Sequence, residues 1–357
     1  MKSLTKKIIK YGITGTLVAA SYLTIGGVGY VMNTPPKPIP EPETKIVDNK
    51  RQKSLEQILN VSHKLLNACT YDFEINLSGG KKLQMEKTLY FVGSTVGVYK
   101  NKKDKNLLFL SCDHVTEKPE KIYVLKTNLK NGLYKGLAET ENGEQKEFIT
   151  TEPIVKPTMH PIGQGILKKS VMGIYKGIKK DYNGKNVGIN LDELTELADT
   201  GSKPGKITIK NDDISLLRLK DEGKIKNYNV WEGPWANEYR IKPGQEIYAV
   251  GYPLNLSKQI TQGIISSTGT KREDLSKNFY FTSAQLNPGN SGGGVWTVQT
   301  VMDETGTLTE RLALVGLGRL KFAGDGISGI IKTSNLKNFL RKEGYSYVYK
   351  KEDGSKK

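Results

Sequence analysis

With 357 residues and 36% hydrophobic content, the chain can bury one large core or two smaller ones, which excludes a disordered protein. Its 54 lysines and arginines outnumber 37 aspartates and glutamates for a net charge of +17, spread mostly as lysine rather than gathered in an arginine-rich block. This is a solvated basic surface without a nucleic-acid module, although an anionic membrane surface would attract it. Two cysteines, Cys69 and Cys112, exclude a disulfide scaffold but leave open one bridge or two buried thiols.

Residues 1–10 carry Lys2, Lys6, Lys7 and Lys10, after which Tyr11 to Met32 runs 22 residues without a charge. As a helix that run spans about 33 Å, enough to cross a bilayer. A cleavable signal peptide competes, because Gly12, Gly15, Gly26, Gly27 and Gly29 weaken the helix and Val18-Ala19-Ala20 offers a cleavage site. The apolar run before Ala20 is short and continues past it, which favours an uncleaved anchor over residues 11–32. Four lysines before the span, against Lys37 and Lys45 after it, put the N-terminus in the cytoplasm and the remainder outside. Prolines crowd Thr34 to Pro42, so residues 33–52 read as an extended spacer. A helix follows: Ser54 with Gln57 makes a capping box, and Leu55, Ile58, Leu59, Leu65, Leu66 and Cys69 share one face, leaving His63 on the surface.

From Thr88 the pattern turns to short β-rich runs. Thr88 to Tyr99 and Leu107 to Leu110 read as two strands joined by a polar turn, the second delivering His114. Within residues 120–205, Lys121 to Leu125 reads as a strand and Leu191 to Ala198 as a helix, while His160 sits among prolines as a surface residue. Lys206 to Lys210 alternates like a strand and leads to Asp213, directly before the apolar run Ile214-Ser215-Leu216-Leu217, with Asp212 as the rival carboxylate. Trp231 and Trp235 lie in a polar crossing, as packing residues. Strand-like runs follow at Gly244–Pro253, Thr261–Ser266 and Phe279–Ala284. The turn Asn287-Pro288-Gly289-Asn290-Ser291-Gly292-Gly293-Gly294 suits a nucleophile flanked by main-chain N–H groups. Leu312–Gly318 and Gly326–Ile331 read as the last strands, with a helix near Ser334–Glu343 and a polar tail over 346–357.

His114, Asp213 and Ser291, in this order and in these contexts, resemble the trypsin-like serine proteases, and more closely their HtrA/Deg branch. Gly93-Ser94-Thr95-Val96 stands where relatives carry Gly-Ser-Gly-Phe, Val250-Gly251-Tyr252-Pro253 resembles their Val-Gly-x-Pro, and Thr261 to Ser266 their Thr-x-Gly-Ile-Val-Ser. The resemblance covers roughly residues 88–341. It implies an all-β fold of two Greek-key β-barrels, to which the uncharged run over 11–32 adds an N-terminal transmembrane helix and the helical patterns a few peripheral helices. The first barrel falls in 53–222, interrupted by an insertion at about 120–205, and the second in 223–345, with no PDZ-like domain after it. It implies a serine endopeptidase in which His114 is the general base, Asp213 orients and balances the ring, Ser291 attacks, and the N–H groups of Gly289 and Ser291 form the oxyanion hole. Gln285, Leu286 and Arg319 fall at the substrate pocket; no aspartate stands where lysine or arginine substrates are selected, and the basic Arg319 departs from the small residues usual there. Asn290 replaces the zymogen aspartate, so activity should not depend on a newly cut N-terminus. No cofactor or metal is required. The partners implied are polypeptide substrates and the membrane, with an oligomeric state that the sequence does not reveal. The alternative is a catalytically silent scaffold with the same fold. A phosphate-binding loop at Gly289–Gly294 is argued against by the missing lysine.

Overall fold

In a computed structural model the described residues are 49–350, apart from 77–81, 102, 131–132, 141–144, 151–162, 182–183, 200–212, 272, 303–305 and 322–326. The proposed membrane span, the proline-rich spacer up to residue 48, His160, the 206–210 strand and Asp212 lie outside them, whereas residues 49–52, expected in the spacer, already form the start of the N-terminal helix, ahead of the expected cap at Ser54. No helix among the described residues is long and apolar enough to cross a membrane.

The chain is mostly β. Nine strands form the first sheet: β1 (Ser62–Asn76), β2 (Lys82–Asn101), β3 (Asn106–Ser111), β4 (Lys121–Lys130), β5 (Leu133–Thr140), β6 (Gln145–Thr150), β7 (Gly163–Lys180), β8 (Asn186–Asp199) and β9 (Ser215–Leu219). Their order is β1-β2-β3-β9-β8-β7-β4-β5-β6, with β1 also pairing to β7. Six strands therefore return on themselves, and β4 to β6 extend from β7. The second sheet is a closed barrel, β10-β11-β12-β15-β14-β13, built from β10 (Glu246–Gly251), β11 (Gln259–Ser267), β12 (Phe279–Thr282), β13 (Gly294–Met302), β14 (Leu308–Lys321) and β15 (Ser328–Lys332). Closure leaves no exposed strand edge in that barrel. Among the described residues, four α-helices, α1 (Asn49–Val61), α2 (Asp113–Thr116), α3 (Glu273–Asn278) and α4 (Thr333–Lys342), accompany the sheets.

Three expectations need correction. The N-terminal helix stops at Val61 rather than running to Cys69, and Leu65, Leu66 and Cys69 are in β1. That strand pairs on both sides, with β2 and β7, so ladder hydrogen bonds and burial of adjacent residues override a helix-compatible spacing. Further along, Tyr71, Phe73 and Ile75 are buried with Leu89, Phe91 and Ile122, while Asp72 and Asn76 face out, the period of two that a strand requires. Leu191 to Ala198 is likewise part of strand β8, held between β7 and β9. Finally, β7 and β8 belong to the ring itself, so the 120–205 stretch is not wholly an insertion.

The largest apolar cluster runs across both sheets. Leu107 to Leu110 of β3 are buried, and they share this cluster with Trp231, Trp235, Trp296, Leu336 and Phe339. Trp231 packs edge-on to Trp296 at 5.8 Å and donates its indole N–H to the Pro234 carbonyl at 3.1 Å. A second cluster, including Ile247, Ile265, Val295 and Ile330, fills the closed barrel.

Candidate active site

The register of β3 against β9 brings the first two groups together. Ser111 faces Ser215 and Leu110 faces Leu216, so Asp213, just before β9, lies beside α2, which starts just after β3. Asp213 adopts φ 53°, in the left-handed region, and its carboxylate accepts two bonds from one residue. Its Oδ1 takes the main-chain N–H of His114 at 2.9 Å, and its Oδ2 faces Nδ1 of the ring at 2.8 Å. The carboxylate is 4% exposed and the ring 42%, so one edge of the imidazole remains open to solvent while its partner is enclosed. Burial raises the Asp213 carboxyl pKa, but the charge and hydrogen bonds of His114 together with the Arg319 guanidinium outweigh burial and hold it at about 2. The carboxylate is therefore ionised throughout the neutral range.

Ser291 arrives through its backbone. Its carbonyl accepts the Ser94 N–H at 2.8 Å, and Gly292 and Gly318 are tied by N–H bonds of 2.9 Å to the Gly318 carbonyl and 2.8 Å to the Gly293 carbonyl. Gly93 is the meeting point, because a Cβ there would lie 2.4 Å from the Val115 side chain and 3.1 Å from the Ser291 carbonyl oxygen. Gly292, at φ 81°, has room for no side chain: a Cβ would stand 2.3 Å from both Ser111 Oγ and the Ser94 carbonyl oxygen. The Ser291 hydroxyl donates to the Arg319 carbonyl at 3.4 Å, a long bond, and not to the His114 ring.

The turn also presents two main-chain donors. Among the described residues, neither the Gly289 nor the Ser291 N–H meets a protein acceptor. A trans peptide sends its N–H opposite its carbonyl, so the direction of each donor follows from the carbonyl before it. The Pro288 carbonyl is held by the Leu254 N–H at 2.6 Å and the Asn290 carbonyl by the Gly293 N–H at 2.8 Å, which fixes both planes. Ser94 adds a brace that sequence reasoning missed: its hydroxyl donates to the Gly289 carbonyl at 2.7 Å and accepts the Tyr252 N–H at 3.1 Å. The only signal for it in the sequence was its place in the Gly93-Ser94 pair.

The three residues expected at the substrate pocket part company. Gln285 is exposed, and its carbonyl lies 3.5 Å from Asn290 Nδ2. Leu286 is buried, its side chain 3.1 Å from where a Cβ on Gly318 would stand. Arg319 turns inward, its Nε donating to Asp213 Oδ2. Asn290 is buried, and among the described residues it meets no charged partner. Cys69 and Cys112 are not joined and remain buried thiols. Cys112 Sγ, a His114 ring nitrogen and an Asp213 oxygen lie within 4.8 Å of one another, but the Arg319 guanidinium on that carboxylate opposes a metal cation there.

Residues 169–301 match the family described as trypsin-like peptidase domain, a span that includes Asp213 and Ser291 and begins beyond His114. Over that span the chain is similar to a trypsin-like peptidase domain. Curated relatives that it matches are serine proteases of the HtrA and Deg type. The chain is 28% identical over 167 residues to the probable periplasmic serine endoprotease DegP-like of Buchnera aphidicola subsp. Baizongia pistaciae, covering 44% of this chain and 33% of that protein. It is 29% identical over 126 residues to the serine protease Do-like HtrA of Bacillus subtilis, covering 33% of this chain and 24% of the relative. To the serine endoprotease DegS of Haemophilus influenzae it is 30% identical over 109 residues, covering 30% and 31%. Each alignment spans no more than a third of the relative's length.

Proposed function

We propose that the protein is an extracytoplasmic serine endopeptidase, held at the membrane by residues 11–32, that cleaves polypeptides through His114, Asp213 and Ser291. The observation that carries this reading is the doubly bonded His114–Asp213 pair facing solvent on its ring edge, near a turn with two unused N–H donors. In the reaction Ser291 Oγ attacks the scissile carbonyl while the ring takes the hydroxyl proton. The carbonyl oxygen becomes an anion received by the N–H groups of Gly289 and Ser291, a contribution of roughly 3–4 kcal/mol per donor in comparable sites. The ring then gives its proton to the leaving amine, and water, deprotonated by the same ring, releases the acyl group from the serine. Buried Asp213 keeps the tautomer and balances the imidazolium. Gln285 and Leu286 border the pocket for the substrate side chain, which we assign to a medium aliphatic or polar residue. Asn290, being neutral, forms no ion pair with a new N-terminus, so the uncut chain is active.

A silent scaffold is the second reading, favoured by the Ser291 hydroxyl bonding to the Arg319 carbonyl rather than to the ring. Active-site labelling with a fluorophosphonate separates the two. The peptidase requires capture at Ser291 that is abolished in Ser291→Ala and strongly reduced in His114→Ala; absence of capture in every condition supports the scaffold. Probing the cell-associated protein for its first twenty residues tests the uncleaved anchor, and their loss would mean secretion after cleavage.

A further inference from the structure

We propose that Arg319 is a positioning residue that weakens His114 as a proton acceptor, by sharing the carboxylate on which the ring depends. What the base does rests on the peptidase reading; the effect of the charge on the ring does not. Arg319 stands on β14 with its side chain 8% exposed, and its Nε bonds the same Asp213 oxygen that faces His114 Nδ1. The guanidinium carbon lies 5.2 Å from the centre of the Phe279 ring, and Nη1 is buried without a partner. A single carboxylate and an aromatic face therefore enclose this cation.

A buried carboxylate beside a neutral imidazole leaves one negative charge, which stabilises the imidazolium formed when the serine gives up its proton. A guanidinium on that oxygen cancels the charge in advance. Proton transfer to the ring then creates a positive charge next to a pair that is already neutral, in surroundings where water screens little. The ring consequently stays unprotonated, and able to act as a base, further into the acid range, with less stabilisation once it is protonated. Arginine keeps its charge over that whole range. The other titratable groups around the pair are Cys112, whose buried thiol has its pKa pushed up and stays protonated, and Asp113, which meets Glu196 and Asp199 of β8 in an acidic cluster. None of these donates to the Asp213 carboxylate.

The test compares the full chain with Arg319→Gln, Arg319→Met and Arg319→Lys, reading the fluorophosphonate labelling rate at Ser291 at acid and at mildly alkaline pH. We expect the acid-to-alkaline ratio of rates to fall by about threefold or more in the two neutral variants and to return toward the parent value with lysine. A merely structural role lowers both rates together, so a parental ratio in a folded Arg319→Gln overturns the proposal. If the parent labels at no pH, the peptidase reading fails, and proton NMR of the His114 ring in the same proteins decides the Arg319 question, helped by there being three histidines in the chain. Proton uptake at higher pH in Arg319→Gln supports the proposal, and uptake at the parent's pH overturns it. Should neither neutral variant keep the parent's circular dichroism, the parent ring's own midpoint decides, supporting the proposal below the ordinary imidazole value of about 6.5 and overturning it above.

Discussion

Ser94 controls the geometry of the turn from outside it. Its hydroxyl donates to the Gly289 carbonyl and accepts the Tyr252 N–H, while its own N–H holds the Ser291 carbonyl, so one residue of the first sheet fixes two points of a loop that belongs to the second. Ser94→Ala keeps the N–H bond and deletes both hydroxyl bonds, leaving the Gly289 carbonyl without its brace and the Gly289–Asn290 peptide freer to rotate. The expected outcome is a loss of about 10- to 100-fold in the fluorophosphonate labelling rate with an unchanged circular dichroism spectrum. A rate within twofold of the parent would mean that the turn holds itself through the Pro288 and Asn290 carbonyls alone.

At the scale of single elements, β1 has the most to explain, because it closes the first ring and carries an ionisable group into it. His63 at its start is packed rather than on the surface: its ring meets Phe109 at 5.7 Å and Tyr228 at 5.2 Å, both edge-on, and its Nε2 is buried without a hydrogen-bond partner. Burial, reinforced by Lys258 and Lys176, pushes its pKa down from the ordinary 6.5 to about 3. Between those values the unfolded chain binds a proton there and the native chain does not, so stability falls as pH drops from about 6.5 towards about 3. His63→Phe keeps the ring contacts and removes the titration. The variant should therefore gain roughly 1–2 kcal/mol relative to the parent at pH 5 and little at pH 8, measured by thermal melting at the two values. Equal gains at both would mean that packing, not protonation, sets the difference.

Across the whole molecule, the contacts that build the candidate site also join the two sheets. The Ser94 N–H donates to the Ser291 carbonyl at 2.8 Å, the Ser94 hydroxyl to the Gly289 carbonyl at 2.7 Å, and Cys112 Sγ to the Gly318 carbonyl at 3.4 Å. Cys112 lies in the core that spans both sheets and Cys69 in the smaller cluster of the first. Both thiols should resist a thiol reagent in the native protein and react together at global unfolding, at a midpoint that reducing agent leaves unchanged. Counting reacted thiols by mass along a denaturant series checks this, and reaction of Cys112 at lower denaturant than Cys69 would show that the sheets separate before they unfold.

Local structure was legible in the sequence wherever it depends on immediate neighbours. The glycines around Ser291, the carboxylate directly before an apolar strand, the Leu107–Leu110 run leading to His114 and the closing helix α4 could all be read from neighbouring residues. Partners distant in the chain could not. Whether Leu65 and Leu66 belonged to a helix or a strand was decided by β2 and β7 lying on either side of them, and Leu191 to Ala198 became a strand because β7 and β9 supplied its hydrogen bonds. The direction of the Arg319 side chain was decided in the same way, by a buried carboxylate 106 positions earlier that leaves a cation nowhere better to go. Periodicity and turn chemistry act over a few residues and so can be read along the chain. Strand pairing and the compensation of buried charge act through space, and they exist only once the two sheets have closed around the site.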